Sequence, residues 1–222
     1  MELFCDISED HAHNLLSEVA HKIKNGLGGI NGFAALLERD LGPNDPRVSL
    51  ARRIQSGVLR LNDLIVDLMV FLMEPESTPI SENPVVCVRQ VWTEFWGEKD
   101  PPDKVLFLPK EASAIRPPAG YDSGLFRILL LHAFRFAVSC AGRIDSIRFR
   151  LETDGKTAFD VAFPRTENLQ IDTNAKSTRL RTCEPIEAKL SLYIVIKMAK
   201  LNGGKTSIRL QEPDQHVLTV YL

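Results

Sequence analysis

Eight residues near the start of the chain, Leu16, Ala20, Ile23, Leu27, Ile30, Ala34, Leu37 and Leu41, are separated by alternating steps of four and three. That is the a/d spacing of a helix packed in coiled-coil fashion, and it is sustained for about seven turns. A second seam follows at once, through Ala51, Ile54, Val58, Leu61, Ile65, Leu68 and Leu72. Between them Gly42-Pro43 stops one helix, while Asp45 before Pro46 supplies an N-cap and a favoured first residue for the next. Asp6 with Glu9 resembles a capping box at the first start, and Ser8 is an equally good N-cap. A connection this short makes the two helices antiparallel neighbours.

An isolated two-helix hairpin leaves apolar flanks such as Val19, Phe33, Leu36, Leu64 and Phe71 in water. Self-association into a four-helix bundle would bury them, so a homodimer is expected. The helical-hairpin domain is therefore 1–74, and a Pro-, Ser- and acid-rich linker occupies 75–84. Residues 85–222 form the second domain. Its pattern predicts a helix over 85–95, a short strand over 105–108, an apolar helix over 125–138 and a hairpin of strands 146–151 and 158–163 turning at Asp154-Gly155. A polar stretch, 164–181, then leads to a helix over 185–201 and strands over 206–210 and 217–222. This order predicts an α/β sandwich, one sheet covered by helices.

Composition narrows the function. Of 222 residues, 27 are basic and 29 acidic, so the charge of −2 gives no electrostatic footprint for nucleic acid or an anionic membrane. The start, Met1 to Asn14, holds acidic residues and no apolar run of signal-peptide length, and no stretch approaches the ~20 apolar residues of a membrane span, which predicts a cytoplasmic protein. Cys5, Cys87, Cys140 and Cys183 lie far apart with no C-x-x-C pair, a pattern that suits neither zinc nor a disulfide framework.

The segment Ala20 to Leu41 carries the chemistry. With Ala20 at position a, His21 falls at b and faces solvent. Steps of four and three from it reach Asn25, Gly28 and Gly32, a polar group and then two residues without side chains. Glycine inside a helix costs ~1 kcal/mol relative to alanine, so Gly26, Gly28, Gly29 and Gly32 need a reason. One is close approach of another macromolecule to an imidazole that is nucleophilic near neutral pH, with Lys22 and Lys24 offsetting phosphoryl charge. The other is that His21 is one exposed histidine among five and the glycines let helices cross closely. Periodicity alone leaves both open.

His21-Lys22-Ile23-Lys24-Asn25-Gly26-Leu27 resembles the phosphoacceptor motif of bacterial sensor histidine kinases, especially their nitrogen-regulator branch through Glu38-Arg39-Asp40-Leu41. Leu190 to Val195 and Asn202-Gly203-Gly204-Lys205 are similar to the helix after that family's second glycine box. The resemblance implies a dimerisation and phosphoacceptor hairpin followed by a histidine kinase ATPase domain. The departures imply that this second domain is degenerate. Lys22 stands where the family has an acid that assists transfer from ATP. The helix over 125–138 has no magnesium-holding asparagine, and either register puts His132 or Phe136 there. The two glycine-rich turns read Val161 to Thr166 and Ile186 to Leu190, and no glycine occurs from Lys156 to Asn202. Phosphates are cradled by backbone N–H groups that glycine lets approach closely, so no nucleotide-binding or metal-ligating residue is expected.

What survives is His21 as phosphoacceptor, Lys24 and Asn25 beside it, and Lys22, Gly28 and Gly32 as a docking strip. The chain resembles dimeric phosphotransferases of the ChpT type, built like a kinase stripped of ATP binding. The implied function is relay of a phosphoryl group between receiver-domain aspartates in a two-component phosphorelay. The implied partners are response-regulator receivers and, as a further candidate, a hybrid histidine kinase. No cofactor is expected on this chain, because the receiver supplies the magnesium. The rival readings are a non-catalytic pseudokinase that binds regulators or kinases, and an active soluble kinase. His11 and His13 point to different helix faces and make a poor metal pair. His132 reads as a satisfied core histidine, Trp92 and Trp96 as packing their helix on the sheet, and Lys176, Arg179 and Arg181 as a solvated loop.

Overall fold

The computed structural model describes residues 9–42, 44–72, 82–97, 106–108, 121–151, 157–174, 177–211 and 214–222. The chain divides into two units, Met1–Glu74 and Pro75–Leu222. The expected linker lies mostly outside the described residues, as do Cys5, Asp6, Ser8, Lys176 and the Asp154-Gly155 turn, and the side chains of His11 and His13.

The first unit is a pair of helices, α1 (Glu9–Asp40) and α2 (Arg47–Leu72). The Asp45 carboxylate accepts the Arg47 backbone N–H at 2.8 Å, as an N-cap does, and also takes the Arg47 guanidinium at 2.6 and 2.9 Å. Those contacts hold its carboxyl down at about 2. The seam behaves differently from its expected role inside one chain. Ala20, Leu27, Asn31, Ala34, Glu38 and Leu41 are turned inward to varying degrees, with Ala34 buried. Ile23, Ile30 and Leu37 stay 46, 49 and 54% exposed, and Ile54, Leu61 and Leu68 on α2 are similarly bare. One hairpin covers alternate seam residues and leaves those between them exposed.

The second unit opens with α3 (Pro84–Trp96), whose N-cap Asn83 accepts the Val85 N–H and whose end is set by Gly97 at φ 60°. Strand β1 (Leu106–Phe107) follows, then α4 (Ser123–Ala141), capped by Asp122 and closed by Gly142 in the left-handed region. β2 (Ser146–Leu151) and β3 (Thr157–Pro164) form the expected hairpin. The 164–181 stretch, read as polar and irregular, instead holds a two-stranded sheet, β4 (Leu169–Asn174) and β5 (Ser177–Cys183). Arg179 and Arg181 are therefore strand residues, not loop residues. α5 (Ile186–Leu201), β6 (Lys205–Gln211) and β7 (Gln215–Tyr221) complete the order.

The main sheet runs β1-β2-β3-β7-β6, parallel between β1 and β2 and antiparallel elsewhere. One of its faces carries the core. Phe126 and Phe134 of α4 meet Phe159 with centroids 6.4 and 6.2 Å apart, and Phe136 meets Phe163 at 5.5 Å. α4 and α5 share the largest helix–helix contact of this unit. Trp92 packs α3 on α4 through Phe134 at 5.2 Å and meets Trp96 of its own helix at 5.5 Å, so Trp92 joins helix to helix. Contrary to the expectation that no stretch approaches a membrane span, α4 has the length and apolar character of one, and more than half of it is buried inside the unit, as in a core helix. Cys87, Cys140 and Cys183 are buried free thiols.

Candidate functional site

His21 sits on the middle turns of α1, exposed, with Lys22, Lys24, Asn25, Gly28 and Gly32 also exposed. At about 100° per residue, Asn25, Gly28 and Gly32 lie within roughly 40° of His21 around the helix axis. A Cβ built on Gly26, Gly28, Gly29 or Gly32 would meet nothing within 4 Å. Inside one chain these glycines therefore do not serve close approach of α1 to α2. The strip is open.

It runs on into a shallow groove of about 540 Å³ lined by Gly29, Gly32, Phe33, Ala35, Leu36 and Arg39. The sequence names Gly29 and Gly32 among the costly glycines and Phe33 and Leu36 among the apolar flanks, but not the groove they form together. Its signal was legible, because Gly29, Gly32, Phe33 and Leu36 follow the i, i+3, i+4, i+7 rule of one helix face. The half-bare seam residues Ile23, Ile30 and Leu37 lie elsewhere, roughly 160 to 200° around the axis from His21. A surface that pairs copies of the chain and a surface that offers His21 can thus coexist on one helix.

The two lysines differ. Lys22 forms an ion pair with Glu18 at 2.8 Å, one turn back on the same helix. Lys24, three residues from His21 and hence on the adjoining face, makes no ion pair among the described residues. Lys24 is the better placed of the two to meet charge arriving at the imidazole.

In the second unit, both residues that could occupy the asparagine position of the resembled kinases are in the core. His132 is 3% exposed and Phe136 fully buried. The His132 ring nitrogen Nδ1 lies 3.5 Å from the Ser191 hydroxyl, and burial pushes its pKa down to about 4, so the ring is neutral at physiological pH. This agrees with a satisfied core histidine. At the end of β3, where the first glycine turn is sought, a cavity of about 610 Å³ is lined by residues including Arg165, Thr166, Gln170, Asp214 and His216. Arg165 pairs with Asp214 across it at 3.7 Å. His216 stacks on Phe163, and burial lowers its pKa as well. Among the described residues no three His, Cys, Asp or Glu side chains gather as a metal site.

No family model matches the sequence, and no curated protein matches it either. Solved structures do. The histidine kinase ShkA, full-length and in complex with AMPPNP, is similar over 94% of this chain at 18% identity, with a TM-score of 0.64. This chain spans 45% of ShkA, about half its length. A bacterial phosphotransferase is similar over 93% of this chain and 94% of its own at 13% identity and a TM-score of 0.43. The Acinetobacter baumannii histidine kinase AdeS is similar over 95% and 96% at 13% identity and a TM-score of 0.48. The chain has a histidine-kinase-like fold, a helical N-terminal region followed by an α/β ATPase-like domain.

Proposed function

We propose that this chain is a histidine phosphotransferase that relays a phosphoryl group between receiver-domain aspartates in a two-component phosphorelay. The observation that carries the reading is the open strip on α1: an exposed His21 followed by Asn25, Gly28 and Gly32, with no neighbouring group where their side chains would be. Such a strip admits a partner's helix close enough for in-line transfer.

In the proposed step an imidazole nitrogen of His21 attacks the phosphorus of an aspartyl phosphate. The N–P bond forms as the P–O bond to the aspartate breaks, and the aspartate leaves as a carboxylate. Donation to a second receiver is the reverse. The phosphoryl group carries its charge throughout, so catalysis is mostly positioning and electrostatic stabilisation. Lys24 supplies positive charge beside the ring, and Asn25 is within one turn for a hydrogen bond to a phosphoryl oxygen. Magnesium comes with the receiver. Lys22 is a docking residue more than a phosphate ligand, given its Glu18 partner.

Relay without ATP is supported by α4, where His132 and Phe136 are core residues, and by the glycine-free run from Lys156 to Asn202. The cavity at the end of β3 presents Arg165 and Thr166 where the first glycine-rich turn of the resembled kinases would stand. Homodimerisation belongs to the same reading, through the half-bare seam on the far side of α1 and its counterpart on α2. The test is a transfer screen against phosphorylated receivers, with magnesium-ATP as a parallel donor. Label from a receiver and none from ATP is the expected result; label from ATP alone would replace the relay with a kinase.

A further inference from the structure

The main sheet has a second face, and within its own unit no described helix packs on it. Phe159, Val161 and Phe163 turn toward α4, so their strand neighbours Ala158, Asp160 and Ala162 turn the other way. Register places whole rows on that outer face. One row reads Ser146, Ala162, Val217, Arg209; the next reads Arg148, Asp160, Thr219, Ser207; a third reads Arg150, Ala158, Tyr221, Lys205. Four cations and one acid share the surface, in a chain whose acids outnumber its bases overall.

The single acid is already used. Asp160 accepts from Arg150 Nε at 2.7 Å and from the Thr219 hydroxyl at 2.7 Å, and its side chain is 9% exposed. Arg148, Arg209 and Lys205 make no ion pair among the described residues. Arg148 lies over the Phe107 ring at 5.5 Å and Lys205 over the Tyr221 ring at 5.2 Å. These cation–π contacts hold the charges in place without neutralising them. Arg148 and Arg209 stand on strands three steps apart, about 14 Å. Between them the small floor of Ala162 and Val217 leaves a trough of about 220 Å³, with Ser146 and Gln215 also on its walls.

We infer that this helix-free sheet face docks an acidic polypeptide segment, whose carboxylates enter the trough between Arg148 and Arg209. A carboxylate there lies between two guanidinium groups, each able to donate charge-assisted hydrogen bonds to it. The lining of the trough argues against single-stranded nucleic acid. Base binding needs exposed stacking platforms, and no aromatic side chain lines the trough. The inference does not depend on His21, which lies in the other unit.

The test uses the full chain, a fluorescent oligoglutamate peptide and fluorescence anisotropy, with a single-stranded oligonucleotide of equal charge as the competing probe. The peptide should bind the wild type, and binding should weaken with added salt as exposed charges are screened. Arg148→Gln with Arg209→Gln should reduce peptide affinity by at least about tenfold. Both side chains are exposed, so the fold should persist, as checked by circular dichroism; the single Arg209→Gln variant, which leaves the Phe107 contact intact, should show a smaller loss in the same direction. His21→Ala should bind the peptide as the wild type does. Absence of peptide binding, equal binding by the folded double variant, or tighter binding of the oligonucleotide would overturn the inference.

Discussion

Glu18 holds Lys22 in a 2.8 Å ion pair on α1, so the lysine next to the candidate phosphoacceptor is engaged along its own helix. Lys24 is left to face charge that arrives at His21. Lys24→Ala should therefore slow phosphotransfer by roughly three- to tenfold, whereas Lys22→Ala should change it less than about twofold. Stopped transfer assays with a phosphorylated receiver measure both. The reverse order would assign the phosphate contact to Lys22.

The glycine strip gives a prediction in which stability and activity part company. A side chain on Gly28 or Gly32 meets open space within the chain, and leucine or alanine there gains helix propensity. Gly28→Leu or Gly32→Leu should leave melting temperature unchanged or raise stability by up to ~1 kcal/mol, while transfer falls sharply. Gly→Ala at the same places should be milder. A lowered melting temperature with transfer intact in the folded fraction would mean that the strip packs inside a bundle.

Assembly is predicted through the bare half of the seam. Leu68 is 45% exposed in the single chain, and Leu68→Glu should place a charge in the centre of the proposed bundle. Sedimentation at micromolar concentration should show a dimer for the wild type and a monomer for the variant. A monomeric wild type would leave Ile23, Ile30 and Leu37 without the role proposed for them.

The buried histidines predict an acid dependence. Burial lowers the His132 pKa to about 4 in the folded state, against about 6.5 in the unfolded chain, so the unfolded state takes the proton first. Stability is thus full above about pH 6.5 and declines as pH falls toward 4, by on the order of 3 kcal/mol from this residue. His216, shifted the same way, adds to the decline. His132→Gln should flatten the curve in that window. Denaturant titrations of the two proteins from neutral to acid pH check it, and parallel curves would contradict it.

Much of this structure was legible in the sequence, because long helices and alternating strands write their period directly. The capping residues Asp45, Asn83 and Asp122, with Gly97 and Gly142 at helix ends, sit where local chemistry requires them. β4 and β5 were missed because their alternation is built mostly from Thr, Gln, Asp and Arg, which also composes loops. The Glu18–Lys22 pair was readable from its i, i+4 spacing. Other features were not. Asp160 meets Thr219 across 59 residues of sequence, and His132 meets Ser191 across the same span. No local pattern encodes such pairs, and the charge of the open sheet face emerges only when β2, β3, β7 and β6 are laid in register.

The central claim rests on one nitrogen-bearing side chain, and the most direct measurement is transfer of labelled phosphate from a phosphorylated receiver to wild type and to His21→Ala in parallel. The account predicts that the wild type gains a phosphate stable in base and labile in acid, as a phosphohistidine is, and that His21→Ala, folded and dimeric, gains none. Undiminished labelling of His21→Ala would contradict it.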